Sequence, residues 1–298
     1  MTIRLGDIAG PAATALWEDT LESVMKVMAG EKGEGSYRVI VTSEAGVVRG
    51  IVTGRVVLEI LMGWRGPRGG DVRSLLNEPV HIFADEALHI LPHWLRLRAA
   101  LTYMLENRVG CLIVVDDLSR FMGVVDEKSL LKLLKGVHVG VKVEDAMERD
   151  LYVIRPDSRV MDAVATMVQA MRRRLPVVSD GGRIEGIVTA TDILREVCKG
   201  LASGRNPMNE PVSRIMERNV IYVKASEDLS AAVEKLVEKD VSSVLVASED
   251  GGSLKLEGIV TRLDALMTIT HTFGPEETVN VLMKRARYLK HKERRGGS

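Results

Sequence analysis

The stretch Gly186-Ile187-Val188-Thr189-Ala190-Thr191-Asp192 constrains this chain more than any other, because variants of it occur three more times. They are Gly50-Ile51-Val52-Thr53-Gly54-Arg55-Val56, Gly123-Val124-Val125-Asp126-Glu127-Lys128-Ser129 and Gly258-Ile259-Val260-Thr261-Arg262-Leu263-Asp264. Each leaves a short apolar β-type segment and enters apolar residues at helical spacing, as with Ile193, Leu194 and Val197, so each reads as a strand-to-helix turn. A chain with this recurrence is an array of one module, and fold and function both start from that module.

The opening glycines lie 73, 63 and 72 residues apart, but alternate copies are separated by 136 and 135. The regular unit is therefore a pair. Each module also begins with a short lead, at Leu5–Ile8, Val72–Leu76, Val143–Met147 and Val212–Met216. In the third module a strand is predicted over Leu151–Ile154, then a Pro156-Asp157 turn. A helix capped by Ser158 follows, with Val160, Ala163, Val164, Met167, Val168 and Met171 on one face. Strands over Leu175–Val178 and Ile184–Thr189, joined by Ser179-Asp180-Gly181-Gly182, complete a hairpin. The fourth module repeats the plan, with a helix over Ser226–Lys239 and strands over Val241–Ala247 and Leu256–Thr261. A strand-helix-strand-strand-helix unit of about 65 residues is too small to cover both sheet faces, so the members of a pair are expected to share a core. The first two modules are less regular. Trp17–Thr20 precedes the first long helix, and Arg38–Thr42 is its strand. A Gly/Arg-rich loop, Gly63–Gly70, follows, and in the second module Pro92 is expected to break or kink a helix in a segment that reads as an elaboration.

Composition closes off several function classes. Hydrophobic residues make up 46% but aromatics only 4%, so the core is aliphatic. Cys111 and Cys198 have no partner spacing, which argues against disulfides or zinc. No run of about 18 apolar residues occurs and the N-terminus lacks signal-peptide character, so a cytoplasmic location is expected. His89 and His93 are interrupted by Pro92 and lack a companion glutamate, and no nucleophile, phosphate-loop or paired-carboxylate pattern stands out. A non-enzymatic role is expected, with no metal and no obligatory cofactor. The formal net charge of zero hides an uneven distribution: residues 284–295 carry seven Lys or Arg against one Glu, leaving that segment +6 and the remainder −6.

Four copies of strand-helix-strand-strand-helix, each closing on Gly-[Ile/Val]-Val-[Thr/Asp] at a helix start, resemble CBS domains over residues 2 to about 283. The resemblance implies an α/β (α+β) fold of four βαββα CBS repeats arranged as two Bateman modules, plus a C-terminal basic helix and tail. It divides the chain into repeats over 1–70, 71–138, 139–207 and 208–275, with the tail over 276–298. The layout is similar to the nucleotide-sensing γ subunits of energy-sensing kinases, and implies clefts that take an adenosine nucleotide: AMP, ADP or ATP. In the family motif a Thr or Ser and its backbone N–H groups hold phosphate while an Asp three residues on holds the ribose hydroxyls. Thr189 with Asp192 and Thr261 with Asp264 keep both groups. Thr53 keeps the hydroxyl but Val56 replaces the acid, and in the second copy Asp126 and Ser129 exchange the two, placing a carboxylate where phosphate would sit.

Two readings of these pairs fit the sequence. A helix N-terminus offers unpaired N–H groups to an anion, yet Thr-x-x-Asp is equally a capping box serving only the helix. Arg172-Arg173-Arg174, with Arg174 foremost, either leans over the cleft toward further phosphates or is a solvated helix end. After the fourth repeat a helix is expected over Glu276–Lys290, its apolar face made by Val279, Leu282, Met283 and Ala286. Lys284, Arg285, Arg287, Lys290, Lys292, Arg294 and Arg295, with Tyr288 interleaved, suit RNA phosphates and unpaired bases or form a solvated terminus. Two functions stand. One is a nucleotide-sensing regulator acting through the second pair on a macromolecular partner. The other is an RNA- or ribosome-binding factor using the tail, with the repeats as platform. No membrane association is expected, and both monomer and homodimer are open.

Overall fold

The computed structural model describes residues 3–30, 36–66 and 72–296, with the backbone alone for residue 72 and residues 286–296. The first repeat comprises β1 (Thr14–Leu16), α1 (Leu21–Ala29), β2 (Arg38–Thr42), β3 (Val48–Thr53) and α2 (Gly54–Leu61). The second has a one-turn helix α3 (Val72–Leu75), then β4 (Ile90–Pro92), α4 (Leu97–Asn107), β5 (Cys111–Val115), β6 (Phe121–Asp126) and α5 (Glu127–Leu134). In the third are α6 (Val143–Ala146), α7 (Val160–Gln169), β7 (Arg174–Val178), β8 (Ile184–Thr189) and α8 (Ala190–Ser203). The fourth contains β9 (Tyr222–Val223), α9 (Leu229–Glu238), β10 (Ser243–Asp250), β11 (Ser253–Thr261) and α10 (Arg262–Phe273), followed by α11 (Pro275–Gly296). In three repeats the first strand runs parallel to the second, which pairs antiparallel with the third. The fold is the mixed α/β array of four βαββα units expected from the repeats.

Local chemistry explains where details differ from the sequence reading. The strand expected over Leu151–Ile154 is reduced to one parallel bridge, Ile154 to Val177, because Ile154 turns into the core while Tyr152 and Val153 face solvent. Ser158 does not cap α7. The cap is Arg159, whose N–H donates to the Asp162 carboxylate at 3.1 Å, while the Ser158 N–H closes a turn on the Arg155 carbonyl. Pro92 breaks no helix; it ends the edge strand β4, where a missing N–H is tolerated, and residues 84–110 follow the common plan. The last hairpin is longer than expected, reaching Asp250 opposite Ser253, because Gly251 and Gly252 take φ of 55° and 83° and form the tight turn that matches strand twist. The Gly63–Gly70 loop is described as far as Gly66; the rest lies outside the described residues.

The four leads are single helical turns, at Leu5–Asp7, α3, α6 and Val212–Arg214, and each crosses onto the other repeat of its pair. Leu5 N–H donates to the Leu95 carbonyl and Leu21 N–H to the Glu78 carbonyl; Val143 N–H donates to Glu227 and Val160 N–H to Glu210. This reciprocal exchange ties first to second and third to fourth. The shared core is arranged differently from the expectation. One large cluster joins α1 and α2 of the first repeat to α7 and α8 of the third, with Phe83 and Met216 at its margins. Another joins α4 and α5 of the second to α9 and α10 of the fourth, with Leu5 and Leu282. Within the first pair the sheets share only a small cluster around Ile40, Ile113 and Val115. Pairs are thus held by crossing backbones, and the two pairs are held to each other by helix packing. Among the described residues no helix is long and apolar enough to cross a membrane.

Candidate functional site

The repeated glycine serves the crossing. A Cβ at Gly50 would lie 2.8 Å from the Asp85 carbonyl oxygen, at Gly123 2.5 Å from that of Gly10, at Gly186 2.7 Å from that of Glu217 and at Gly258 3.0 Å from that of Glu148. At each point the partner's trailing lead passes flat across the strand and bridges it, as in Ile187 with Glu217. Any side chain would push the two backbones apart, so the glycine that opens the motif is explained by packing.

Three residues further on, each turn delivers its polar group to a helix N-terminus. Thr189 Oγ1 donates to Asp192 Oδ2 at 2.6 Å, and the Thr189 N–H donates to the same oxygen at 3.0 Å. Thr261 and Asp264 repeat this at 2.6 and 2.9 Å. Both are full capping boxes, so the structure realises the capping arrangement in each pair. The second oxygen of Asp192 faces Arg195 at 3.1 Å. Thr53 caps α2 through the Val56 N–H at 3.4 Å. Asp126 does the same for α5, accepting from Ser129 N–H at 2.9 Å.

These turns open on two cavities between the pairs. One, of about 1050 Å³, contains Thr53 of the first repeat and Thr261 with Asp264 of the fourth, together with Glu148, Leu151, Tyr152, Pro176 and Ile259. The other, of about 850 Å³, contains Asp126 of the second and Thr189 with Thr191 of the third, flanked by Lys128, Asp240 and Arg262. Tyr37, Arg38, Cys111, Glu127, Arg173 and Arg174 line both, forming a wall between them.

That wall is strongly basic. Arg174 is buried, at 7% exposure, and its Nη1 donates to the Ser242 carbonyl at 2.7 Å. Arg173 lies over the Tyr37 ring at 5.1 Å and 3.6 Å from Glu127 Oε1. Arg38 approaches the same oxygen at 4.0 Å. Arg262 and Lys128 share Asp240, at 2.6 and 2.7 Å, and Arg172 pairs with Glu148. Burial and the Arg173 charge push the Arg174 guanidinium well below its ordinary pKa; burial and Arg38 lower that of Arg173. Burial also acts to lower Arg38, but Glu127 and its other neighbours prevail and raise it. Burial raises the Tyr37 hydroxyl, against the pull of Arg173 and Arg38. Guanidinium groups stay charged at neutral pH, so the lowering of Arg173 and Arg174 reflects burial first and the neighbouring positive charge second, and an anion beside them would offset both.

Of the residues named from the sequence, Thr53, Thr189, Thr261, Asp264 and Arg174 line at least one of the cavities, and Asp192 lines neither. The sequence reading missed Tyr37, Arg38, Glu127 and Arg262. A register signal could have found one of these, Arg38, and it marks Arg174 as well. The residue opposite each turn's Thr or Asp is the first of the middle strand: Arg38, Cys111, Arg174 and Ser243. Of the tail, α11 packs by Thr278 and Leu282, both buried, and Arg285 Nη2 donates to the Lys135 carbonyl. Lys284 is exposed. The side chains of Arg287, Tyr288, Lys290, Lys292, Arg294 and Arg295 lie outside the described residues.

A CBS domain family model matches residues 73–136, 143–199 and 212–271, together more than half the chain. Protein MJ1225 of Methanocaldococcus jannaschii is 28% identical over 249 residues, covering 78% of this chain and 88% of the relative. Its crystal structure, of a protein proposed as an archaeal homolog of g-AMPK, superposes with a TM-score of 0.76 at 27% identity, covering 89% of this chain and 99% of that one. The 33.4 kDa protein in the ribosomal RNA operon of Thermofilum pendens is 30% identical over 250 residues, covering 78% of this chain and 80% of the relative. A Pyrococcus horikoshii protein shares the fold, with a TM-score of 0.57 at 18% identity over 90% of this chain and all of that one. The first repeat lies outside the matched segments but has the same strands and helices in the same order, and the chain belongs to the CBS domain family.

Proposed function

We propose that this protein is a non-enzymatic regulator that senses adenosine nucleotides through its second pair of repeats and passes the signal to a macromolecular partner. The observation that carries the reading is the larger cavity. It is lined by Thr261 and Asp264 and by Arg173 and Arg174, with Leu151, Tyr152, Pro176 and Ile259 offering apolar surface for a base. The capping box engages only Oδ2 of Asp264, leaving Oδ1 for a ribose hydroxyl, and the start of α10 offers N–H groups to phosphate. Thr189 makes a second candidate contact, on the smaller cavity with Arg262 and Lys128, and Asp192 behind it would have to give up its bond to Arg195 to reach a ligand. Thr53, without an acid, is a weaker contact, and Arg174 acts mainly as a buried positive charge because its guanidinium already holds the Ser242 carbonyl. The likeness to a protein proposed as a homolog of g-AMPK supports a regulatory role. The test is thermal melting with AMP, ADP and ATP, where ligand at 100 times its Kd stabilises by about 2.7 kcal/mol. The double variant Asp192→Ala, Asp264→Ala is expected to lose the shift, and wild-type protein that melts identically with and without all three would refute the reading.

A second reading, an RNA- or ribosome-binding factor, is favoured by the seven basic residues of 284–295 at the end of a helix anchored by its first half, and by a relative in a ribosomal RNA operon. It predicts salt-sensitive co-sedimentation with ribosomal subunits that disappears on truncation after Met283, a cut that keeps the buried Thr278 and Leu282. Full-length protein remaining at the top of a low-salt gradient would exclude it.

A further inference from the structure

One side chain in the wall between the two cavities is unexplained by capping, packing or nucleotide recognition. Glu127 is the first residue of α5 and only 4% exposed, yet its Oε2 is buried without a hydrogen-bond partner. Its Oε1 lies 3.6 Å from Arg173 and 4.0 Å from Arg38, which makes two long ion pairs with no close bond. The position is built to admit a carboxylate: a Cβ on Gly110 would come within 2.7 Å of Oε2, and the Glu127 N–H is tied to the Gly110 carbonyl at 2.9 Å. The arginine it faces is held in place as well, since Arg173 lies over the Tyr37 ring, which itself packs within 2.5 Å of where a Gly54 Cβ would stand.

A buried carboxylate normally takes close charge-assisted bonds, at about 2.7–2.9 Å. Glu127 instead faces two guanidinium groups without engaging their N–H groups at hydrogen-bond distance, and it is the one carboxylate that lines both cavities beside Arg38, Arg173 and Arg174, with Asp126 near Arg38 and Asp264 near Arg174. We propose that Glu127 is a resident counter-anion, a specificity-determining residue that competes with an incoming phosphate for Arg38 and Arg173 and so sets how many ligand charges the wall accepts. The inference rests on the phosphate-binding half of the proposed function and is independent of the adenosine. With Glu127 in place the wall holds itself together when empty, and an anion entering from either cavity must share the arginines with it. Removing the charge frees two guanidinium groups at once, so the gain should rise with ligand charge.

The experiment compares wild-type protein with Glu127→Gln, which keeps shape and loses the charge. Calorimetric titration uses phosphate, pyrophosphate and tripolyphosphate as probes, with AMP, ADP and ATP titrated alongside. The expected result is a gain of about tenfold or more for tripolyphosphate, equivalent to about 1.4 kcal/mol, falling to a few-fold for phosphate. Equal or weaker tripolyphosphate binding by the variant, or no anion binding by either protein, would overturn the proposal. If Glu127→Gln unfolds when free of anion, recovery of its melting transition with tripolyphosphate supports the idea and failure to recover it refutes it. Should tripolyphosphate bind more tightly to the variant while no adenine nucleotide binds either protein, the counter-anion stands and the nucleotide reading falls.

Discussion

Replacing Gly186 by Ala adds one methyl group, and the structure says where it goes. The new Cβ would lie 2.7 Å from the Glu217 carbonyl oxygen and 3.0 Å from Met216 Sδ. That oxygen accepts the Ile187 N–H at 2.9 Å, and the Glu217 N–H returns to the Ile187 carbonyl at 2.9 Å. The methyl therefore displaces the atom that holds the crossing together. Overpacking costs about 1 to 3 kcal/mol, and weakening two backbone hydrogen bonds adds about 1 kcal/mol. A loss of about 2 to 4 kcal/mol is expected, read as a lower urea midpoint at unchanged slope, or as a fall in Tm of about 3 to 6 °C at this chain length. Gly10→Ala is the matched control, because Gly10 bridges Val124 in the equivalent crossing but has no atom within 4 Å of its own Cβ position. It should change stability by less than about 0.5 kcal/mol. A Gly186→Ala protein melting within a degree of wild type, or a Gly10→Ala protein falling as far, would refute the crossing as the reason for the repeated glycine.

Other perturbations follow from the same contacts. Burial alone would raise the Asp228 carboxyl, but bonds from Ser230, Val139 and Gly140 prevail and hold it below the ordinary carboxylate range. Its stabilising contribution is therefore present above the unfolded value near 4 and lost as pH falls through the lower folded value. The urea midpoints of wild type and Asp228→Asn should differ at pH 6 and draw together as the pH falls below the ordinary carboxylate range; a constant gap would contradict this. Burial, with help from Glu127 and Asp126 and against Arg38, pushes the Cys111 thiol up to about 11. Only about one thiolate in a thousand is then present at pH 8, against about a quarter for a free thiol, so iodoacetamide labelling followed by mass spectrometry should be slower by about two orders of magnitude. Leu282 is 1% exposed, and Leu282→Ala should loosen α11 at a cost of about 2 to 4 kcal/mol, seen as faster proteolysis beyond Phe273.

Much of this molecule is legible in one dimension. The four turns, the leads and the pairwise spacing follow from neighbouring residues, because helix and strand periods are local and a hairpin such as Gly251-Gly252 carries its own instruction. The offset of Thr189 from Asp192 and of Thr261 from Asp264 is local too, since a capping box spans three residues. Pro92 misled because the same residue breaks a helix and ends an edge strand, and only the neighbouring strand distinguishes the two.

Pattern alone could not choose between partners. All four repeats present similar aliphatic helix faces, so nothing in their periodicity says that the first packs on the third and the second on the fourth; that arrangement is seen only in the helix clusters of the folded chain. The wall between the cavities has the same origin. Tyr37, Arg38, Glu127 and Arg173 are scattered over three repeats, and each alone reads as an ordinary strand or helix end. Their charges acquire meaning only when helix packing brings them together away from bulk water, where neighbouring charges interact strongly. Local sequence specifies the module and its turns; packing specifies which turns share a cavity and which carboxylate stands among the arginines, because electrostatics acts through space and not along the chain.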